Sequence, residues 1–136
     1  MKKRNKIIYW IATAWLALGM VSTGAAQLLK GKTGAGGVAM VTQLGYPVYF
    51  LTILGTWKIL GVAAVLIPRF PLVKEWAYAG FFFAMSGAAL SHIAAGTIHE
   101  IFPSLLLLVL TIVSWYFRPD DRKIISITNK YAQHEP

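Results

Sequence analysis

The sequence predicts an all-α fold: a polytopic membrane four-helix bundle with both ends on the cytoplasmic side. Three observations carry that reading. Hydrophobic residues make up 57% of the chain and charged residues only 13%, whereas a soluble domain is about half apolar and a quarter charged. The apolar residues fall into four runs, most of them near the ~20 residues that cross the hydrocarbon core of a bilayer. Lysines and arginines sit at the ends of those runs and do not form one basic face. A chain of 136 residues has room for one domain, and its mean hydropathy of +0.58 makes the bilayer its natural solvent.

The first run covers residues 7–29. It starts after basic residues and ends near Gly24-Ala25-Ala26, a pattern shared with cleavable signal peptides. Its length and its two tryptophans, Trp10 and Trp15, assign it instead to a transmembrane helix. Residues 30–47 form the longest connection. Glycines at 31, 34, 36 and 37 open it, residues 38–44 are expected to form a short interfacial helix, and Gly45-Tyr46-Pro47 ends that helix. The second run, residues 48–67, contains one charge, Lys58. Pro68-Arg69-Phe70-Pro71 reads as a tight inner turn. The third run spans 76–95, with Ser86, Ser91 and His92 inside it, and the fourth spans 101–117. Residues 118–136 are a polar tail, so the chain divides into a transmembrane domain over 1–117 and a cytoplasmic extension.

Orientation follows from the cations. With the N-terminus inside, Lys2, Lys3, Arg4, Lys6, Arg69, Lys74, Arg118, Arg122, Lys123 and Lys130 are cytoplasmic, and only Lys30 and Lys32 are outside. The positive-inside rule therefore predicts a multi-pass protein of the cytoplasmic membrane with both termini in the cytoplasm. The same distribution argues against nucleic acid as a partner despite a net charge of +8. The absence of cysteine excludes disulfides, thiolate metal sites and a CxxC redox cycle of the chain's own.

Lys58 most needs a partner, because a lysine near the middle of a span costs a few kcal/mol to insert. Gly55 and Gly61 flank it at three residues on either side, which turns it toward the bundle interior. Side chains lean toward a helix's N-terminus, so its ammonium is expected to reach outward, toward the level of His92. Glu100 is the best anionic partner for it, and Gln27, Gln43, Tyr46 and Ser91 are candidates to complete an outer polar layer. The bland alternative is a lysine that snorkels to the interface and a histidine that bonds a backbone carbonyl. No second in-membrane histidine faces His92, which argues against haem, and no set of residues suggests a metal. On the third helix Ala77, Gly80, Ala84, Gly87, Ser91 and Ala94 form a stripe of small residues, expected to be its packing face, with Phe81, Phe82 and Phe83 on the flanks and lipid side. Glu75 reads as an N-terminal dipole partner, or as the partner of Arg69 or of an arginine beyond the fourth span. Trp10, Trp76 and Trp115 read as interfacial anchors.

The ordered set Leu44-Gly-Tyr-Pro47, Leu54-Gly-Thr-Trp-Lys58-Ile-Leu-Gly61, Lys74-Glu-Trp-Ala-Tyr-Ala-Gly80, Gly87-Ala-Ala89 and Ser91-His92 resembles the DoxX-like family of small four-helix membrane proteins. The resemblance covers the second and third helices closely. It implies that Lys58, Glu75, Trp76, Tyr78, Ser91 and His92 occupy family motif positions. It also implies an association with quinone chemistry, since founding members are small subunits of a membrane thiosulfate:quinone oxidoreductase, while many relatives have no assigned activity. No redox-cofactor motif accompanies it here.

The function expected is thus a small accessory or ligand-binding membrane subunit. It would hold a quinone or other lipid-like molecule beside a redox-complex partner, with self-association as a further option. The alternatives are a membrane enzyme using Lys58 and His92 as acid and base, or a scaffold. A small multidrug exporter fits poorly, because residues 7–29 lack the carboxylate such proteins carry in their first span.

Overall fold

The computed structural model describes residues 2–29, 38–119 and 122. Along these residues run α1 (Lys3–Leu28), α2 (Val38–Gln43), α3 (Tyr49–Leu66), α4 (Pro71–Ala94), a 3₁₀ turn (Ile98–Glu100) and α5 (Phe102–Tyr116). Helix α1 packs against α3 and α5, and α4 packs against the same two helices, so the long helices form a helical bundle. Helices α1, α3 and α4 are long and apolar enough to cross a membrane, and α5 is a shorter apolar helix. Its 15 residues rise about 22 Å, against a hydrocarbon core of about 30 Å.

The outward faces carry Trp15, Trp57, Phe83, Leu90 and Tyr116, all well exposed. Water does not tolerate so much contiguous apolar surface, and lipid does. Inside, Leu16, Met20, Val62, Val65, Phe81, Met85 and Leu107 pack around Tyr78. At the cytoplasmic-predicted half of the bundle Ser114 Oγ bridges Thr13 Oγ1 at 2.6 Å and Tyr78 OH at 2.8 Å. The Tyr78 motif position therefore belongs to a closed hydroxyl cluster linking α1, α4 and α5.

Close approach of helices comes from α1 and α3. A Cβ on Gly55 would lie 2.7 Å from the Gly24 carbonyl oxygen, and one on Gly61 would lie 2.5 Å from Phe81 Cε1. Helix α4 instead buries Lys74, Tyr78, Phe81, Met85, Ala89 and His92. The expected packing stripe on α4 is corrected in part: Ala77 and Ala84 pack against the core, but Gly80 and Ala94 are exposed, and a Cβ on Gly80 or Gly87 would touch nothing within 4 Å. Phe81, one of three phenylalanines expected on the flanks and lipid side, is buried against Gly61. The glycine that receives the ring sits on the neighbouring helix.

The third predicted span starts earlier than 76. Pro71 stands at the first helical position, where its fixed φ suits a helix and its missing N–H costs nothing. Arg69 and Phe70 before it take positive φ, which reverses the chain within the Pro68–Pro71 turn. Lys74 therefore lies inside α4, 1% exposed, and is no loop charge. Its Nζ donates to Ala64 O at 2.8 Å, to Val65 O at 3.2 Å and to Ile67 O, at the end of α3 where helical carbonyls lack amide partners. Arg122 Nη1 donates to Val65 O at 3.0 Å, and its guanidinium lies 5.0 Å over the Trp10 ring. Glu75 does not cap α4, which has no side-chain cap. It pairs with Arg118 at 2.5 Å and accepts from Trp115 Nε1 at 3.0 Å, the second of the partnerships expected for it. Trp76 is exposed. Apart from Pro119 and Arg122, the tail beyond Arg118 lies outside the described residues, as does the glycine-rich start of the first connection.

Candidate functional site

The opposite half of the bundle is less tightly filled. Beneath α2, helices α1, α3, α4 and α5 line a partly open cavity of about 230 Å³, the volume of roughly eight liquid waters. Its apolar walls include Val41 and Leu44 around α2, Phe50 and Leu54 on α3, Phe83 and Met85 on α4, and Leu107 on α5. The small residues Ala84, Gly87 and Ala88 line it as well. The small-residue side of α4 leaves space here, although Ala84 also packs against the core.

Polar groups enter this cavity from every wall: Gln27 from α1, Lys58 from α3, Ser91 and His92 from α4, Glu100 from the 3₁₀ turn, and Tyr46 from the chain after α2. Three of them are almost wholly buried, with Gln27 3%, Lys58 7% and His92 2% exposed. Six of the seven side chains singled out as ligand-binding candidates thus share one cavity. Gln43 does not: it sits at the end of α2, exposed, because the helix turns Val41 inward instead.

Lys58 reaches across to α1, where Gly24 lies against its Cβ. Its Nζ donates to Thr23 Oγ1 at 3.1 Å, and Thr23 Oγ1 in turn donates to Gly19 O at 2.8 Å. The expected ion pair with Glu100 is not formed. Among the described residues no carboxylate lies within 4.0 Å of Lys58, the ion pair present being Arg118–Glu75. Glu100 stays on the short 3₁₀ turn at the cavity wall, where its Oε2 is buried without a hydrogen-bond partner. Gln27 Oε1 is buried without one as well.

The remaining groups are tied down. His92 Nδ1 and Thr97 Oγ1 are 2.9 Å apart, which fixes the imidazole ring. Gly96 makes this possible: its positive φ ends α4 and folds Thr97 back over His92. Ser91 Oγ donates to Gly87 O at 2.8 Å and lies 2.7 Å from Tyr46 OH. Tyr46 stacks on Phe50 with ring centroids 4.9 Å apart, so the segment between α2 and α3 is pinned to α4 above the cavity. Thr23 and Thr97 are the site residues that sequence reasoning missed. Thr97 carried a signal, standing one residue past a helix-ending glycine and five past His92.

A second, more open hollow of about 460 Å³ lies between α4 and α5, lined by Tyr78, Ala79, Phe82, Phe83, Thr111 and Ile112, with Glu75 and Trp115 at its far rim. Phe83 borders both spaces. Among the described residues no group of His, Cys, Asp and Glu could hold a metal ion.

No curated protein and no solved structure matches the chain. The model of the DoxX-like family matches residues 11–114, which takes in α3 and α4 whole, most of α1 and α5, and every residue named above as lining the first cavity. The chain is a multi-pass membrane protein that belongs to the DoxX-like family.

Proposed function

We propose that this protein is an accessory membrane subunit that holds the polar head of a lipophilic molecule, a quinone or a comparable amphiphile, in the cavity around Lys58. In this reading α5 is the fourth span, both termini are cytoplasmic, and the cavity lies in the outer half of the cell membrane. The observation that carries the reading is the state of Lys58. Its ammonium is buried, has one hydroxyl partner and no carboxylate within ion-pair distance, yet it opens on a cavity with other polar groups. An ammonium has three donors, and an intramembrane cation left with one weak acceptor is expensive unless something else is recognised there.

This reading places the hydrocarbon tail in the apolar hollow between α4 and α5, whose wall shares Phe83 with the head cavity. The family relation supports a role beside a redox complex, with the chain supplying a binding place and no cofactor of its own.

The test is Lys58→Met, which keeps the aliphatic stem and removes the donors. Binding of a decyl-substituted benzoquinone to protein in nanodiscs is expected to weaken at least tenfold, the value of one charge-assisted hydrogen bond. Thermal stability should stay level or rise as the buried charge is removed. Unchanged binding would leave Lys58 a structural residue and remove the basis of the reading.

A further inference from the structure

Helix α2 turns one face to the cavity. Met40, Val41 and Leu44 line the space, while Ala39, Thr42 and Gln43 are exposed. Val41 is the buried residue of the helix. Six residues are too few for a helix to be stable on its own, so the contacts at its end decide where it sits.

That end is closed by local hydrogen bonds. Gly45 takes a positive φ, its N–H donates to Thr42 O at 3.0 Å, and the Tyr46 N–H donates to Val41 O at 3.0 Å. This paired closure at a left-handed glycine makes the Tyr46 backbone part of the α2 unit. Pro47 belongs to the next unit, because its carbonyl accepts from the Phe50 N–H at 3.1 Å in the turn that leads into α3. The boundary between the two hydrogen-bonded units therefore falls at the Tyr46–Pro47 junction.

The Tyr46 side chain ties the α2 unit to the bundle. Its ring stacks on Phe50 of α3, the helix that follows in the chain. Its hydroxyl reaches across to α4, 2.7 Å from Ser91 Oγ. Ser91 gives its own hydrogen to Gly87 O, so in this pair Tyr46 donates and Ser91 accepts. The bond is exposed, and a neutral hydrogen bond adds only a small net stability. It is strong enough to bias the position of α2 and weak enough to break thermally.

We infer that residues 38–46 form a lid over the cavity, latched by the Tyr46–Ser91 hydrogen bond and turning about the Tyr46–Pro47 junction when that bond breaks. Opening withdraws Val41 from the cavity and widens the way to Lys58. As a route of ligand entry the lid rests on the reading of the cavity as a lipophile site; as a moving part it does not. The latch assigns Tyr46 and Ser91 to control of access.

The reporter is Val41→Cys, a thiol on the buried side of the lid in a chain without native cysteine. Its alkylation by N-ethylmaleimide is timed on the full chain in nanodiscs, with no lipophile added, so the outcome is independent of the binding test above. Where opening is fast, the rate follows the open population. Adding Tyr46→Phe or Ser91→Ala should speed alkylation about fivefold, the worth of one neutral hydrogen bond. Both changes together should do no more than either alone, since they break the same bond. Met20→Cys, buried in the core away from the cavity, should react at an unchanged slow rate in every background. Unchanged alkylation of Val41→Cys in the two single variants would overturn the latch and leave the binding site to its own test. An equal rise at Met20→Cys would overturn it too, by showing that the whole bundle loosens and not the lid.

Discussion

Replacing Gly55 by alanine would place a methyl carbon 2.7 Å from the Gly24 carbonyl oxygen and 2.9 Å from Leu28 Cγ. The leucine end can rotate away, but the oxygen belongs to the α1 backbone, so α1 and α3 must separate locally. Overpacking of this kind costs about 1–3 kcal/mol, set against the 0.5–1 kcal/mol that alanine gains over glycine inside a helix. A net loss of roughly 1–2 kcal/mol is expected. Gly80→Ala is the control: its methyl would meet nothing within 4 Å, so only the propensity gain remains and the variant should be slightly more stable. The assay is reversible unfolding in bicelles, followed by helical circular dichroism for both variants beside the unaltered chain. Separation at Gly55 should also loosen Lys58, which sits one turn further along α3. Should Gly80→Ala prove the more damaging of the two, α4 packs through its small-residue side and the helix arrangement described here is wrong.

Two further outcomes follow from other parts of the molecule. Ser114→Ala removes the hydroxyl that joins Thr13 to Tyr78 and should cost about 1–3 kcal/mol, the price of leaving a buried polar group unpaired; adding Tyr78→Phe should recover part of the loss, and strict additivity in the same unfolding assay would refute the coupling. For topology, Gln43→Cys on exposed α2 should react with a membrane-impermeant maleimide in intact cells, while Lys2→Cys should react only after lysis; the reverse pattern would invert the proposed orientation. The chain has no native cysteine, so neither signal has a background.

Much of the site was legible because it depends on periodicity within one helix. Gly55, Lys58 and Gly61 are three residues apart, and that spacing alone turned Lys58 toward the bundle interior, where it is buried. Likewise, Gly45-Tyr46-Pro47 was enough to end α2 where it ends. What failed was relational. A stripe of small residues on α4 shows that a close neighbour is permitted there, not that one is present, and the close contacts went to glycines on α1 and α3. Gln27 and Gln43 look alike in sequence, yet only the register of α2 against the bundle decides that Val41 turns inward and Gln43 outward. Glu75 was misplaced for a local reason. Its role as a cap assumed a helix beginning at residue 75 or 76, whereas Pro71 was already the stronger start signal. Arg122 could not be foreseen, because its partners on α3 are more than fifty residues away.

The two buried lysines show why exposure alone does not reveal a site. Lys74 is the more buried of the pair, but it lies against three carbonyls at the end of α3. Those acceptors exist because the helix ends there, and the helix dipole adds its negative end. Its environment asks nothing of a ligand. Lys58 lies mid-helix, where every nearby backbone carbonyl of α3 is already committed to an amide, and α1 offers it one threonine hydroxyl. The fold had an apolar alternative at this position, as Val62 and Val65 one and two turns further along the same helix show. A leucine at position 58 would fill space beside Thr23 without any desolvation cost. Keeping an ammonium there makes physical sense where its unused donors meet a partner from outside the chain, and Lys58 lines a cavity in which such a partner has room.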